Sequence, residues 1–158
     1  MNGHTVVVLA VVSLIAGVGM LAMAGDADDE ATKKDQKALT GTWRVISEER
    51  EGKKLSEEEL KGAVATYSAD GKYSMVRGGA KPVYEGTFKI DPTKKPKTID
   101  FTQTKESKTK GRVIPGIYEV EGDTLRVCRT TGSKERPRAF SAEAGSGQVL
   151  LLLKREKK

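Results

Sequence analysis

Chemistry needs nucleophiles, proton carriers or metal ligands, and this chain holds few of them. His4 is its one histidine and Cys128 its one cysteine. His4 lies in an N-terminal segment expected to be removed, so the mature chain cannot assemble a Ser-His-Asp triad, a Cys-His pair or a histidine metal site. A single cysteine excludes an intrachain disulfide and a multi-thiolate zinc site. Cys128, in Leu125-Arg126-Val127-Cys128, reads as a small apolar residue packed in a strand. Paired carboxylates remain as possible acid-base groups. The neighbours are Asp91 with Asp100 and Glu119 with Glu121. Asp91 and Asp123 have the setting of turn residues, and Glu119 and Glu121 share one strand face beside a turn, so no spacing implies convergence. No Asp-x-Asp-x-Asp-Gly calcium loop is present. The reading is a non-enzymatic protein with no cofactor and no metal.

The elements that would position these side chains begin behind an apolar leader. Thr5 to Ala24 carries no charged residue, Val6 to Ile15 is almost wholly apolar, and Ala22-Met23-Ala24 has the small-x-small form that signal peptidase reads. Cleavage after Ala24 is expected, giving a secreted or periplasmic protein with no membrane span. The competing reading is an uncleaved anchor, since about 18 apolar residues can cross a bilayer. Gly25 to Lys37, with Asp26, Asp28, Asp29, Glu30, Lys33 and Lys34, reads as a flexible, solvated linker. The remainder, residues 38–158, is long enough for one domain with one core.

From Ala38 onward the pattern is β. Thr42 to Glu48 alternates, with Trp43, Val45 and Ser47 expected on one face and Arg44, Ile46 and Glu48 on the other. Ser56-Glu57-Glu58-Glu59 is a capping box opening the one short helix, and Gly62 suits its left-handed exit. Val64 to Ser68 and Lys72 to Arg77 flank Ala69-Asp70-Gly71 as a hairpin. Pro82 to Ile90 follows, with Tyr84, Phe88 and Ile90 on one face, and ends at the corner Asp91-Pro92-Thr93-Lys94-Lys95-Pro96. Next come Lys97 to Thr104, with Ile99 and Phe101 inward, and Arg112 to Val120, with Ile114, Tyr118 and Val120 together. Pro115 and Gly116 there predict a bulge or an edge. Thr124 to Arg129, a short Arg138 to Ala142 and the leucine-rich Gln148 to Lys154 complete the set. Such sequential hairpins favour an all-β, up-and-down antiparallel barrel of about eight strands, which encloses room for packed side chains or one small ligand.

Gly41-Thr42-Trp43 resembles the Gly-x-Trp that opens the first strand of lipocalins. That resemblance implies that Trp43 plugs the closed end of a lipocalin-like barrel and that Arg155, after the leucine run, packs over it. The chain departs from the pattern in its first connection, Glu51 through Gly62, which is shorter than the usual lid, and in having no disulfide. A second resemblance spans Leu39 to Lys154. Its motifs are Leu39-Thr40-Gly41-Thr42-Trp43, Gly86 through Asp100, Gly116 through Cys128, and Pro137-Arg138-Ala139-Phe140. Together they are similar to an uncharacterised lipocalin-like domain family abundant in planctomycete bacteria, and imply the fold without an activity.

Eight side chains on predicted inward faces form the candidate ligand-binding set: Trp43, Met75, Arg77, Tyr84, Phe88, Phe101, Gln103 and Tyr118. An apolar lining with a few polar groups suits a small apolar or amphipathic ligand. The same residues equally serve as core, because each large apolar side chain contributes roughly 1.5–3 kcal/mol on burial. The net charge is +6, with basic clusters at Lys94-Lys95-Lys97, Lys105-Lys108-Lys110-Arg112, Lys134-Arg136-Arg138 and Lys154-Arg155-Lys157-Lys158. These suggest the alternative: a cell-envelope interaction module with a filled core, holding an anionic envelope component by its basic loops. Nucleic acid is not expected, for want of aromatics interleaved with the basic residues. A monomer is expected.

Overall fold

A computed structural model describes residues 23–79, 81–104, 110–131 and 135–157. The predicted leader up to Ala22, and Lys105, Lys108, Lys134 and Lys158 of the basic clusters, lie outside the described residues. Helix α1 (Met23–Leu39) leads into nine strands and one further helix. The strands are β1 (Gly41–Arg50), β2 (Lys53–Lys54), β3 (Val64–Tyr67), β4 (Lys72–Val76), β5 (Pro82–Asp91), β6 (Thr98–Gln103), β7 (Val113–Glu121), β8 (Thr124–Thr130) and β9 (Gln148–Arg155). All neighbours are antiparallel in the order β1-β3-β4-β5-β6-β7-β8-β9, and β9 pairs back onto β1 to close the barrel. The two-residue β2 hangs on the far end of β1 through Arg50↔Lys53. Eight strands thus form a closed up-and-down barrel of lipocalin-like architecture, with β2 as an extra strand. Among the described residues no helix is long and apolar enough to cross a membrane.

Short local signals build as the sequence predicts. The Ser56 hydroxyl accepts from the Glu59 amide, and the Glu59 carboxylate accepts from the Ser56 amide at 2.8 Å. This caps α2 (Glu57–Leu60), and Gly62 leaves it at φ +67°. The β3–β4 hairpin turns at Asp70-Gly71, with Gly71 at φ +78°. In β9 the facing becomes visible: Val149, Leu151 and Leu153 are buried inside the barrel, while Leu150 and Leu152 lie on its half-buried outer side.

Four expectations are corrected. Gly25 to Lys37 is not a loose linker but most of α1. Asp26 in its first turn and Lys37 in its last complement the helix dipole, and Asp29–Lys33 and Glu30–Lys34 have i,i+4 spacing. The helix is held at its C-terminal half by the barrel, through Asp35 and Gln36. Among the described residues there are therefore two helices rather than one. In β1 the register slips between Val45 and Ser47, leaving Ile46 as the extra residue of a bulge. Past that point facing inverts: Ser47 pairs with outward Leu152, and Glu48 pairs with inward Leu151 and is fully buried.

Pro115 and Gly116 make neither bulge nor edge. Both pair in regular register with β6, and the β7–β8 ladder ends at Gly116↔Arg129, so the missing amide of Pro115 falls just beyond it. A Cβ on Gly116 would lie 2.8 Å from the Cys128 carbonyl oxygen, so that strand approach requires glycine. Arg138 to Ala142 forms no strand. The segment instead lies against the outer wall, where Phe140 stacks under Arg126 at 4.4 Å and the Ser141 carbonyl accepts from the Cys128 thiol at 3.2 Å. Cys128 is a buried packing residue, and burial pushes its thiol pKa up.

Candidate functional site

The alternation of each strand sends two different sets of side chains into the two ends of the barrel. At the α1 end, the last-turn carbonyls of the helix lack intrahelical partners. The Trp43 indole donates to the Leu39 carbonyl at 2.8 Å. The Arg155 guanidinium donates to the Ala38 and Thr40 carbonyls at 2.6 and 2.9 Å and lies 4.1 Å from the Trp43 ring. Gly41 makes this possible, with φ +137° and a position where a Cβ would stand 2.8 Å from an Arg155 nitrogen. That is the physical content of Gly-x-Trp in this chain. Beside it, the Asp35 carboxylate accepts from Lys97 and from the Tyr118 hydroxyl, both at 2.7 Å. Burial and this hydrogen bond hold the Tyr118 pKa well above its ordinary value. Trp43 and Tyr118, two members of the candidate set, are thus spent on sealing this end.

The middle of the barrel is aromatic. Tyr67 meets Phe88 edge-on at 5.2 Å between centroids, and Tyr73 meets Phe101 at 4.6 Å. Both contacts are within the range in which aromatic pairs add stability beyond area alone. Met75 is buried beside them. Desolvation raises the pKa of both the Tyr67 and Tyr73 hydroxyls.

Toward the opposite end, where β1, β4, β6 and β8 finish, polar side chains gather inside. Glu48 forms ion pairs with Arg77 and Arg50. Gln103, on β6, is buried. Arg129, on β8, follows Leu125 and Val127 on the inward face and is only 4% exposed. Its guanidinium reaches the ring of Tyr84 on β5, three strands away around the barrel, at 5.0 Å. Tyr73 lies within electrostatic range of Arg129, Arg77 and Tyr84.

All eight candidate residues therefore lie on inward-facing positions, but they divide. Trp43 and Tyr118 close one end, Phe88 and Phe101 build the aromatic middle, and Met75, Arg77, Tyr84 and Gln103 belong to the other half. Sequence reasoning missed Glu48, Tyr67, Tyr73 and Arg129. Glu48 was hidden by the bulge. Arg129 carried a usable signal: it stands two and four positions after inward Val127 and Leu125, where a charge is unexpected.

Three of the four carboxylates weighed for acid-base work, Asp91, Asp100 and Glu119, are otherwise engaged. Asp91 accepts from the Thr93 amide at 3.0 Å and from its hydroxyl, which holds the Asp91 pKa below the usual carboxylate range. Glu119 pairs with Arg126 at 2.6 Å. Asp91 and Asp100 both border an outer groove of about 930 Å³ that also brings together Lys94, Lys95, Arg136 and Arg138. Arg136 is committed within it, donating to the Gly116 and Ile99 carbonyls at 2.7 and 3.2 Å and standing 2.8 Å from Asp100. Among the described residues no cluster of His, Cys, Asp and Glu is arranged to hold a metal ion. Neither protein-family models, nor curated proteins, nor solved structures give a match to this chain.

Proposed function

We propose that this protein binds a small amphipathic molecule non-covalently inside its barrel, in the half away from α1. The observation that carries this reading is a mismatch within one interior. The hydroxyls of Tyr67, Tyr73 and Tyr84 donate to no acceptor among the described residues; Tyr67 and Tyr73 are buried as residues, while their hydroxyl oxygens are not among the fully buried atoms without a partner. Buried donors in a side-chain-filled core are ordinarily paired. Donors set among Met75, Phe88 and Phe101 instead match a binding interior, apolar with a few polar groups. The outer groove supports the alternative of an anion-binding surface less well, because Asp91, Asp100 and Glu135 border it beside the cations.

Titration of the full chain with N-phenyl-1-naphthylamine, an uncharged fluorophore that brightens in apolar surroundings, tests this. Saturable one-to-one enhancement is expected, and Met75→Trp, which fills that half of the interior, abolishes it while circular dichroism stays unchanged. A weak signal that rises linearly with probe and ignores Met75→Trp overturns the reading.

A further inference from the structure

The barrel-binding reading leaves the chemical class of the ligand open, and resting on that reading, Arg129 supplies it. A guanidinium removed from water is costly unless a carboxylate or a set of acceptors replaces its hydration. Arg129 is 96% buried by its 4% exposure. Among the described residues no Asp or Glu lies within ion-pair distance of it and none of its N–H groups finds an acceptor, yet its nitrogens are not among the fully buried atoms left without a partner, so the guanidinium edge faces space that water or a ligand can enter. Its sole contact of this kind is the Tyr84 ring, 5.0 Å away. Stacking uses the face of the guanidinium and leaves its edge donors free.

The charges around it sharpen the point. Arg77, the other arginine within range of Tyr73, is already balanced by Glu48. Glu48 is shared between Arg77 and Arg50, so among the described residues Arg129 is the deeply buried cation of this half that no carboxylate partners. Tyr67 and Tyr73 lie within electrostatic range of Arg129 and carry hydroxyls that donate to nothing described.

We propose that the ligand is a small monoanion with an apolar tail, a carboxylate whose oxygens take the free edge of Arg129 and a tyrosine hydroxyl while its tail lies among Met75, Phe101 and Ile114. A planar carboxylate matches the fork of an arginine.

Isothermal titration of the full chain with octanoate and with octan-1-ol, which share a tail and differ in charge, decides this. Octanoate is expected to bind one-to-one and at least about tenfold more tightly than octan-1-ol, the scale of one hydrogen-bonded charge. Arg129→Met is expected to bring the two affinities together by weakening octanoate alone. If the unmodified protein binds both within about twofold, or if Arg129→Met keeps the preference, the anionic ligand is overturned while barrel binding stands. If neither compound binds, the barrel-binding reading falls, and this inference with it. Should Arg129→Met fail to fold, the ratio in the unmodified protein still decides, and Tyr73→Phe, which removes one hydroxyl and keeps the ring, is expected to weaken octanoate and spare octan-1-ol.

Discussion

Two arginines, Arg155 and Arg129, occupy inward positions near the ends of their strands, and both lie against an aromatic ring. Arg155 donates to two carbonyls, stands 3.5 Å from Asp123 and ties β9 to the end of α1. Arg129 is more deeply buried and has none of these partners among the described residues. The contrast extends to the tyrosines, since Tyr118 donates to Asp35 while Tyr67 and Tyr73 donate to nothing described. One end of the barrel thus uses its polar groups to finish the fold. The other holds arginine and tyrosine donors without an acceptor among the described residues, which is the basis of the proposed binding site.

Substitutions at the two ends are expected to differ in sign. The largest effect belongs to Trp43→Ala, which removes a fully buried ring and the donor to Leu39; a loss of about 3–5 kcal/mol is expected in urea unfolding. Arg155→Met keeps much of the packing but abandons two carbonyls and the stacked charge, at a cost of about 2 kcal/mol by the same measurement. Arg129→Met, in the unliganded protein, is expected to leave stability unchanged or raise it by about 1 kcal/mol, because a desolvated charge without a partner is removed. A loss of more than about 2 kcal/mol there would show that Arg129 is a structural residue like Arg155, and the comparison would collapse.

The smallest effect is in alkaline pH. Tyr67, Tyr73 and Tyr118 have folded pKa values raised above the unfolded value of about 10. The stability they contribute is therefore complete below about pH 10 and is lost as the pH rises past it, because the unfolded chain ionises first. Near-ultraviolet absorbance should show these three tyrosines ionising together with unfolding. Ionisation of Tyr67 or Tyr73 in the still-folded protein would mean that water reaches that half of the interior freely.

Much of this fold was legible in the chain. Period-two alternation placed Phe88, Phe101 and Tyr118 inside correctly, and Asp70-Gly71 and Ser56 to Glu59 named their turn and cap, because these signals act over a few residues. Helix α1 was misread because its polar composition suits solvent. What docks it is Asp35, whose partners Lys97 and Tyr118 lie 62 and 83 positions away. Glu48 was misplaced by one extra residue, Ile46, whose bulge is set by pairing with β9 rather than by its neighbours. For Arg129 the facing was readable but the lack of a partner was not. A strand's period tells which way a side chain points and nothing of what stands opposite.

The sequence by itself determined the strands, their turns and the apolar lining, because propensity and alternation are local and each residue carries its own share. Only the tertiary structure decided that Trp43 and Arg155 are consumed at one end while Arg129, near the other, meets no carboxylate among the described residues. Satisfaction of a buried donor depends on an acceptor brought from a distant strand, and closing β9 onto β1 is what brings such groups together or leaves them apart.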